Sequence, residues 1–66
     1  MTIRLNGDAH EVADDATVAA LLESLDIRGR RVAVELNRDI LPKERYDGTR
    51  LSPGDVIEVV QFVGGG

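Results

Sequence analysis

The sequence predicts an α+β fold in which a mixed sheet of four to five strands packs on one main helix. Its 66 residues form one domain with a small core. One segment has the period of an amphipathic helix, and several short segments alternate apolar with polar residues, as strands do. A single helix can bury its one apolar stripe only across a face of a sheet. We therefore expect one domain over residues 1–63 and a flexible glycine tail over residues 64–66.

The N-terminal segment is predicted to form a β-hairpin. Apolar and polar residues alternate across residues 2–6. Asn6-Gly7 is the strongest short hairpin signal, because a type I′ turn needs positive φ at both central residues. The return strand spans residues 8–12 and carries His10, the only histidine. We interpret His10 as structural or solvated, since no second group lies at the spacing of a proton relay or metal site.

The main helix is predicted to begin after Thr17, the expected N-cap. Its apolar residues recur at intervals of three and four, the spacing of one helix face: Val18, Leu21, Leu22 and Leu25. Asp14 and Asp15 precede the helix, where its dipole stabilises negative charge, and we interpret them in that role rather than as an acid–base or metal-binding pair. Gly29 is expected to end the helix.

The middle of the chain is predicted to supply the edge of the sheet. The expected elements are a third strand at residues 31–36, a turn at 37–39 and a short extended segment at 40–42. A helical turn at 42–46, a minor strand at 49–51 and a second turn at 52–55 follow. Pro42 keeps the short segment away from the sheet centre, because proline cannot donate to the ladder. Tyr46 is expected to close one edge of the core.

The last strand, over residues 55–63, is predicted to lie at the sheet centre because it is the most continuously apolar segment. If Ile57 and Val59 face the helix, the two-residue period turns Val60 and Phe62 outward. This apolar pair, beside the start of the tail, is a candidate docking patch. The order of strand, strand, helix, strand, short strand and final strand is the β-grasp arrangement.

Composition excludes several classes of function. Twelve acidic and eight basic residues give a net charge of -4, which argues against a nucleic-acid partner. No apolar run approaches the roughly 20 residues that span a bilayer, and there is no secretory signal, so we expect no membrane partner and a cytoplasmic location. The absence of cysteine removes disulfides and thiolate chemistry. No nucleophile–base pair or metal cluster can be assembled, so we expect neither catalytic nor metal-binding residues.

Three glycines, Gly64, Gly65 and Gly66, follow the last strand. Because glycine has no Cβ, such a tail is a thin thread that can pass through a narrow channel and present its carboxylate inside a partner. A frayed end or the remnant of a linker would have the same composition. In either case we expect the three glycines to be disordered in the free protein.

Taken together and in order, these features resemble the ThiS-type sulfur carrier proteins of thiamine biosynthesis, which are ubiquitin-like β-grasp proteins. The matching segments are Thr17-Val18, Leu21-Leu22, Val32-Ala33-Val34, Leu36-Asn37, Ile40-Leu41-Pro42, Tyr46, Gly54-Asp55, Glu58-Val59-Val60 and Val63-Gly64-Gly65-Gly66. They span essentially the whole chain. Lys43 stands where members often have arginine, and Tyr46 where tryptophan is common, but neither departure touches the chemistry.

The resemblance implies a protein cosubstrate, not an enzyme, that binds no cofactor itself and is a monomer when free. A ubiquitin-activating-like adenylyltransferase would use ATP and magnesium to convert the Gly66 carboxylate to an acyl-adenylate. A sulfur donor protein would provide the sulfur of the resulting thiocarboxylate, which the carrier would deliver to thiazole synthase. Gly65 and Gly66 would form the activated end, Gly64 would provide reach, and Val60 and Phe62 would dock.

Two alternatives remain open on the sequence. A molybdopterin-synthase-type sulfur carrier also ends in Gly-Gly, but its tail usually carries prolines before the glycines, and Gln61-Phe62-Val63 has none. A β-grasp interaction module with an inert tail would share the fold without the chemistry.

Overall fold

The computed structural model describes residues 1–27 and 31–62. Within them the chain forms five strands and one α-helix, α1, together with one short 3₁₀ helix at Lys43–Arg45. The strands are β1 Thr2–Leu5, β2 Asp8–Glu11, β3 Val32–Leu36, β4 Asp39–Leu41 and β5 Val56–Gln61, and α1 spans Val18–Ser24. The predicted α+β arrangement of one helix on a sheet of four to five strands is confirmed.

The strands form one mixed sheet in the order β2-β1-β5-β3-β4. β5 pairs in parallel with β1 and antiparallel with β3, while the outer pairs β1–β2 and β3–β4 are both antiparallel. The prediction that the last strand lies centrally is therefore confirmed. The short strand before Pro42 lies at the edge, as its proline predicted.

Two tight turns connect the outer pairs. Asn6 and Gly7 have φ values of 50° and 89°, which confirms the type I′ hairpin expected from the sequence. Asn37 and Arg38, with φ values of 52° and 74°, form a second turn of the same kind between β3 and β4. Before β5, Gly54 has a φ of 80°, the conformation that favours glycine at the third position of a type II turn.

The helix ends earlier than the sequence predicted. Thr17 is the N-cap, and its Oγ1 accepts a hydrogen bond of 3.1 Å from the Ala20 N–H. At the other end α1 stops at Ser24, whereas Gly29 was expected to stop it and lies outside the described residues. Asp26 takes the left-handed conformation instead, with a φ of 59°. The Ile27 N–H then donates to the Leu22 carbonyl at 3.0 Å, as in a Schellman cap.

The predicted minor strand at residues 49–51 is also wrong. Arg50 forms only an isolated bridge, with Thr17. Backbone hydrogen bonds join the residues on either side of Arg50 to the start of α1. The Val18 N–H donates to the Thr49 carbonyl and the Leu51 N–H donates to the Ala16 carbonyl, each at 2.9 Å. The segment thus docks on the start of α1 rather than joining the sheet.

The core lies between α1 and one face of the sheet. Its buried residues come from every layer of the fold: Ile3, Ala16, Val18, Leu21, Leu22, Ile27, Val34, Leu51 and Ile57. Tyr46 and Val59 pack against this cluster, which confirms both placements expected from the sequence. Ile57, on the central strand, has no solvent exposure.

A matched pair of substitutions tests the central position of β5. Ile57→Val should lower the free energy of unfolding by about 0.5–1.5 kcal/mol, because it removes a buried methyl group. Ile40→Val makes the same chemical change at a side chain that is 79% exposed, and should cost less than about 0.5 kcal/mol. Urea unfolding measures both, and equal losses would contradict the assignment of Ile57 to the core.

Candidate functional site

One face of the sheet is covered by α1, and the other, which we call the open face, is not. Side chains alternate along β5, so that Ile57 is buried toward the helix while Val60 is 54% exposed on the open face. Phe62 follows in the same alternation and is 59% exposed. The predicted outward orientation of Val60 and Phe62 is confirmed, and their role in docking remains a prediction.

Strand register adds further residues to the open face. Val60 lies opposite Ala33 on β3, and Glu58 lies opposite Glu35. Glu35 lies in turn opposite Ile40 on β4. The large apolar side chains that are exposed within the described residues are Ile40, Val56, Val60 and Phe62. By register and alternation all four belong to the open face, so exposed apolar surface is concentrated there rather than scattered over the chain.

Two carboxylates interrupt this apolar surface. Glu35 and Glu58 are direct cross-strand neighbours, and among the residues that the structure describes neither forms an ion pair. Like charges directly opposite each other destabilise a sheet. The open face therefore carries two carboxylates without an ion pair between the apolar side chains of β5 and the edge strand, and Arg4, opposite Val56 on β1, places a positive charge on the same face.

Two asparagine side chains anchor β5 to its neighbours, a feature that the sequence analysis missed. Asn6 Oδ1 accepts from the Val59 N–H at 2.8 Å, and its Nδ2 donates to the Val59 carbonyl at 3.3 Å. Asn37 Oδ1 accepts from the Val56 N–H at 2.9 Å. Both asparagines were read only as turn residues. An asparagine occurs in each of the two turns beside β5, and this recurrence could have indicated a shared role. The contacts themselves could not be predicted, because they join residues far apart in the chain.

The predicted reactive end lies outside the described residues. This applies to Gly64, Gly65 and Gly66, expected to form the reactive tail, and to Val63. Phe62 is the last described residue, and a fully extended chain covers at most about 14 Å over the four residues from Phe62 to Gly66. Any group that reacts with Gly66 therefore lies within that distance of the end of the open face.

Among the described residues, His10, Asp14 and Tyr46 do not form a second site. His10 is half-buried on the edge strand β2. An Asp14 carboxylate oxygen lies 3.1 Å from the Met1 nitrogen. Burial raises the pKa of Tyr46, and the Glu44 carboxylate adds to the shift, but Tyr46 serves the edge of the core. Over residues 1–27 and 31–62, no group of three or more potential ligands could hold a metal ion.

A second surface feature is an apolar groove on the helix side of the molecule. It lies between the end of β2 and α1 and is lined by Glu11, Val12, Ala13, Ala16, Ala20, Leu21 and Ser24. This groove and the open face are on opposite sides of the sheet. None of the helices in the described part of the chain is long and apolar enough to cross a membrane.

Comparison with known proteins identifies a family. The ThiS family model matches residues 3–66, glycine tail included. The chain is 45% identical over 65 residues to the sulfur carrier protein ThiS of Bacillus subtilis, covering 97% of this chain and 98% of that protein. The crystal structure of a thiamine biosynthesis protein, ThiS, from Geobacter metallireducens superposes with a TM-score of 0.84 at 36% identity and covers both chains completely.

A longer protein contains a similar segment. Over 66 residues the chain is 41% identical to part of the thiazole synthase of Paramagnetospirillum magneticum. The match covers all of this chain but only 20% of that protein. Most of the thiazole synthase therefore has no counterpart in the sequence described here.

The carboxylate pair of the open face leads to a test of stability. Glu58→Gln removes one of two facing charges, and we expect it to raise the free energy of unfolding by about 0.2–1 kcal/mol. The gain should shrink at high ionic strength, because salt screens exposed charges. Glu44→Gln, on the 3₁₀ helix, is the control. Urea unfolding at low and high salt would contradict the pairing if Glu58→Gln gave no larger gain than the control.

Proposed function

This chain belongs to the ThiS family and is a sulfur carrier protein of thiamine biosynthesis, and from that premise we propose that its Gly66 carboxylate is adenylated and then converted to a thiocarboxylate. The thiocarboxylate donates its sulfur to the thiazole of thiamine. The observation that carries the proposal is the family match over residues 3–66, which includes all three tail glycines. The chain is a carrier rather than a catalyst, so the reactive group is its own end.

The chemistry explains why a partner must act first. A carboxylate is a poor electrophile, and an activated acyl intermediate divides one difficult step into two easier ones. In the first step the Gly66 carboxylate attacks ATP, and pyrophosphate leaves. In the second step, sulfur at the oxidation level of sulfide attacks the acyl carbon, and AMP leaves. The proposal requires a free carboxyl group on Gly66.

The catalytic groups belong to partner proteins in this scheme. We assign the first step to a ubiquitin-activating-like adenylyltransferase that binds ATP and magnesium, and the sulfur to a separate donor protein. Since activation consumes ATP, we propose that it takes place in the cytoplasm. Cysteine is absent from the chain, so the sulfur has to come from outside.

We propose thiazole synthase as the protein that receives the sulfur. Support comes from the thiazole synthase of Paramagnetospirillum magneticum, in which a segment 41% identical to this chain forms part of the same protein. A carrier and its acceptor gain effective concentration when they are linked, as in such a protein. The same observation favours the thiamine pathway over the molybdopterin alternative.

Docking on the open face explains how the tail is held. Ordering three tail residues costs roughly 1–2 kcal/mol each in backbone entropy, so the tail alone binds weakly. Val60 and Phe62 provide apolar area beside the tail, where burial can offset this cost. A fully extended chain covers only about 7 Å from Phe62 to Gly64. Docking through these two residues thus brings the start of the tail to the partner's surface.

The charge of the open face selects the kind of partner. Covering Glu35 and Glu58 without a counter-charge would bury two unpaired carboxylates, which is costly. We therefore expect the partner to present a lysine or arginine between apolar side chains. A second copy of this chain fits poorly, because two open faces in contact would bring these four carboxylates together with only two Arg4 side chains.

Deletion of Gly66 tests whether the chain end is the reactive group. Parent and truncated chains are incubated with ATP, the adenylyltransferase and a sulfur source, and intact mass is measured. The parent should gain the mass difference between sulfur and oxygen. The truncated chain should fail, because the end falls short by one residue, about 3.3–3.6 Å, and an error of even 1 Å can cost about 100-fold in rate.

A chain extended by one alanine after Gly66 is the matched control for length. It should fail as well, because an amide replaces the carboxylate at the position that is activated. Thermal unfolding of all three proteins controls for loss of the fold. An inert interaction module predicts no mass change even in the parent, and equal mass gain in all three proteins would contradict the requirement that Gly66 be the last residue.

A further inference from the structure

Asn6 continues the pairing of β5 where the neighbouring strand turns away. The Arg4 N–H donates to the Asp55 carbonyl at 2.8 Å, and the Asn6 N–H donates to the Ile57 carbonyl at 2.9 Å. The chain then turns at Asn6-Gly7 and leaves β5. The next residue of β5 that faces this side is Val59, and its N–H and carbonyl both bond to the Asn6 side chain. A side-chain amide thus replaces one residue of β-ladder.

This contact holds the part of β5 that carries the docking residues. On the β3 side, main-chain pairing continues through Gln61, and the Phe62 N–H donates to the Arg31 carbonyl at 3.0 Å. On the β1 side, the register ends at Leu5 and Ile57. Within the described residues, the Asn6 side chain is therefore the last hydrogen-bonding group on the β1 side before Val60 and Phe62.

Asn37 provides a natural comparison at the other end of the same strand. It has nearly the same backbone conformation as Asn6, with φ of 52° against 50°, and it too bonds a β5 main-chain N–H through its side chain. Its partner is Val56, four residues before Val60. The two asparagines share the turn type and the bond to a β5 N–H, but the Asn37 Nδ2 donates to the Asp55 carboxylate at 3.2 Å, and the two residues hold different ends of β5.

We propose that Asn6 is a positioning residue for docking: by clamping the Val59 backbone it fixes the adjoining segment, and with it the Val60 and Phe62 side chains, in the arrangement that the activating partner binds. The inference rests on the proposed function, since it concerns recognition by the adenylyltransferase. It adds a residue that touches neither the partner nor the reacting atoms. The Asn6 contact raises the fraction of free chains in which the segment that carries Val60 and Phe62 is already ordered.

The energetic basis is preorganisation. A binding-competent arrangement that is only partly populated weakens the apparent affinity in proportion to its population. Once the carrier is docked, the tail reaches the same site in the same way, so the rate at saturation should not depend on Asn6. Loss of the clamp should therefore appear in KM and not in kcat.

The test compares Asn6→Gly with Asn37→Gly. Both changes remove the amide, and both keep a residue that accepts positive φ, so the two turns are preserved. The rate of adenylation is measured as the exchange of labelled pyrophosphate into ATP at a series of carrier concentrations. Asn6→Gly should raise the KM for the carrier by about 5- to 30-fold and leave kcat unchanged. This factor corresponds to the free energy of ordering one backbone residue on docking. Asn37→Gly should leave KM within about twofold.

Amide hydrogen exchange on the free chains supplies a readout independent of the partner. Asn6→Gly should speed exchange at Val59, whereas Asn37→Gly should speed it at Val56. Unchanged exchange at Val59 in Asn6→Gly, or an equal rise of KM in both variants, would overturn the inference. Failure of the proposed function is a distinct result: the parent would not be adenylated at any concentration, whatever the exchange rates.

Discussion

The rest of the structure depends on the two-sided pairing of β5. Because β1 and β3 hydrogen-bond to its two edges, β5 lies at the centre of the sheet. Its successive side chains point alternately to the core and to the open face. Ile57 is directed into the core beneath α1, whereas Val60 is directed to the open face. β5 thus stabilises the fold and at the same time presents the exposed apolar side chains of the proposed docking surface.

This arrangement suits the chemistry that we propose for the Gly66 carboxylate. A strand bonded on both sides is a rigid support, and the glycines that follow it in the sequence have no side chains to limit their passage. In the proposed scheme the domain contributes recognition, while the partners contribute catalytic groups. The facing carboxylates Glu35 and Glu58 fit the same proposal, since like charges opposite each other cost stability in the free chain and a partner with a positive charge would offset that cost.

Local chemistry made most of the fold predictable from the sequence. Asn6-Gly7 specified a turn, Thr17 specified a helix start, and the apolar continuity of β5 specified its central position. The errors arose where a less common residue took a role that usually falls to another. Asp26 adopts positive φ at the helix end, a position at which glycine is the usual choice. Residues 49–51 alternate like a strand, yet only Arg50 pairs, and it pairs with Thr17 rather than with the sheet.

The candidate site was predictable only in part. The exposure of Val60 and Phe62 follows from the two-residue period, which is a local property. The places of Ile40 and Glu35 beside them depend on strand register, which the sequence does not reveal. The clamp between Asn6 and Val59 joins residues 53 positions apart, and a turn asparagine gives no local sign of such a contact.

The central claim is that the carrier is recognised through the open face of its sheet, and methyl NMR of the chain bound to the adenylyltransferase tests it most directly. The spectra are recorded without ATP, so that binding is observed without chemistry. The account predicts that the methyl signals of Ile40, Val56 and Val60 shift or broaden. Those of Ala16 and Ala20, which line the groove on the helix side, should stay unchanged. The reverse pattern would contradict the account.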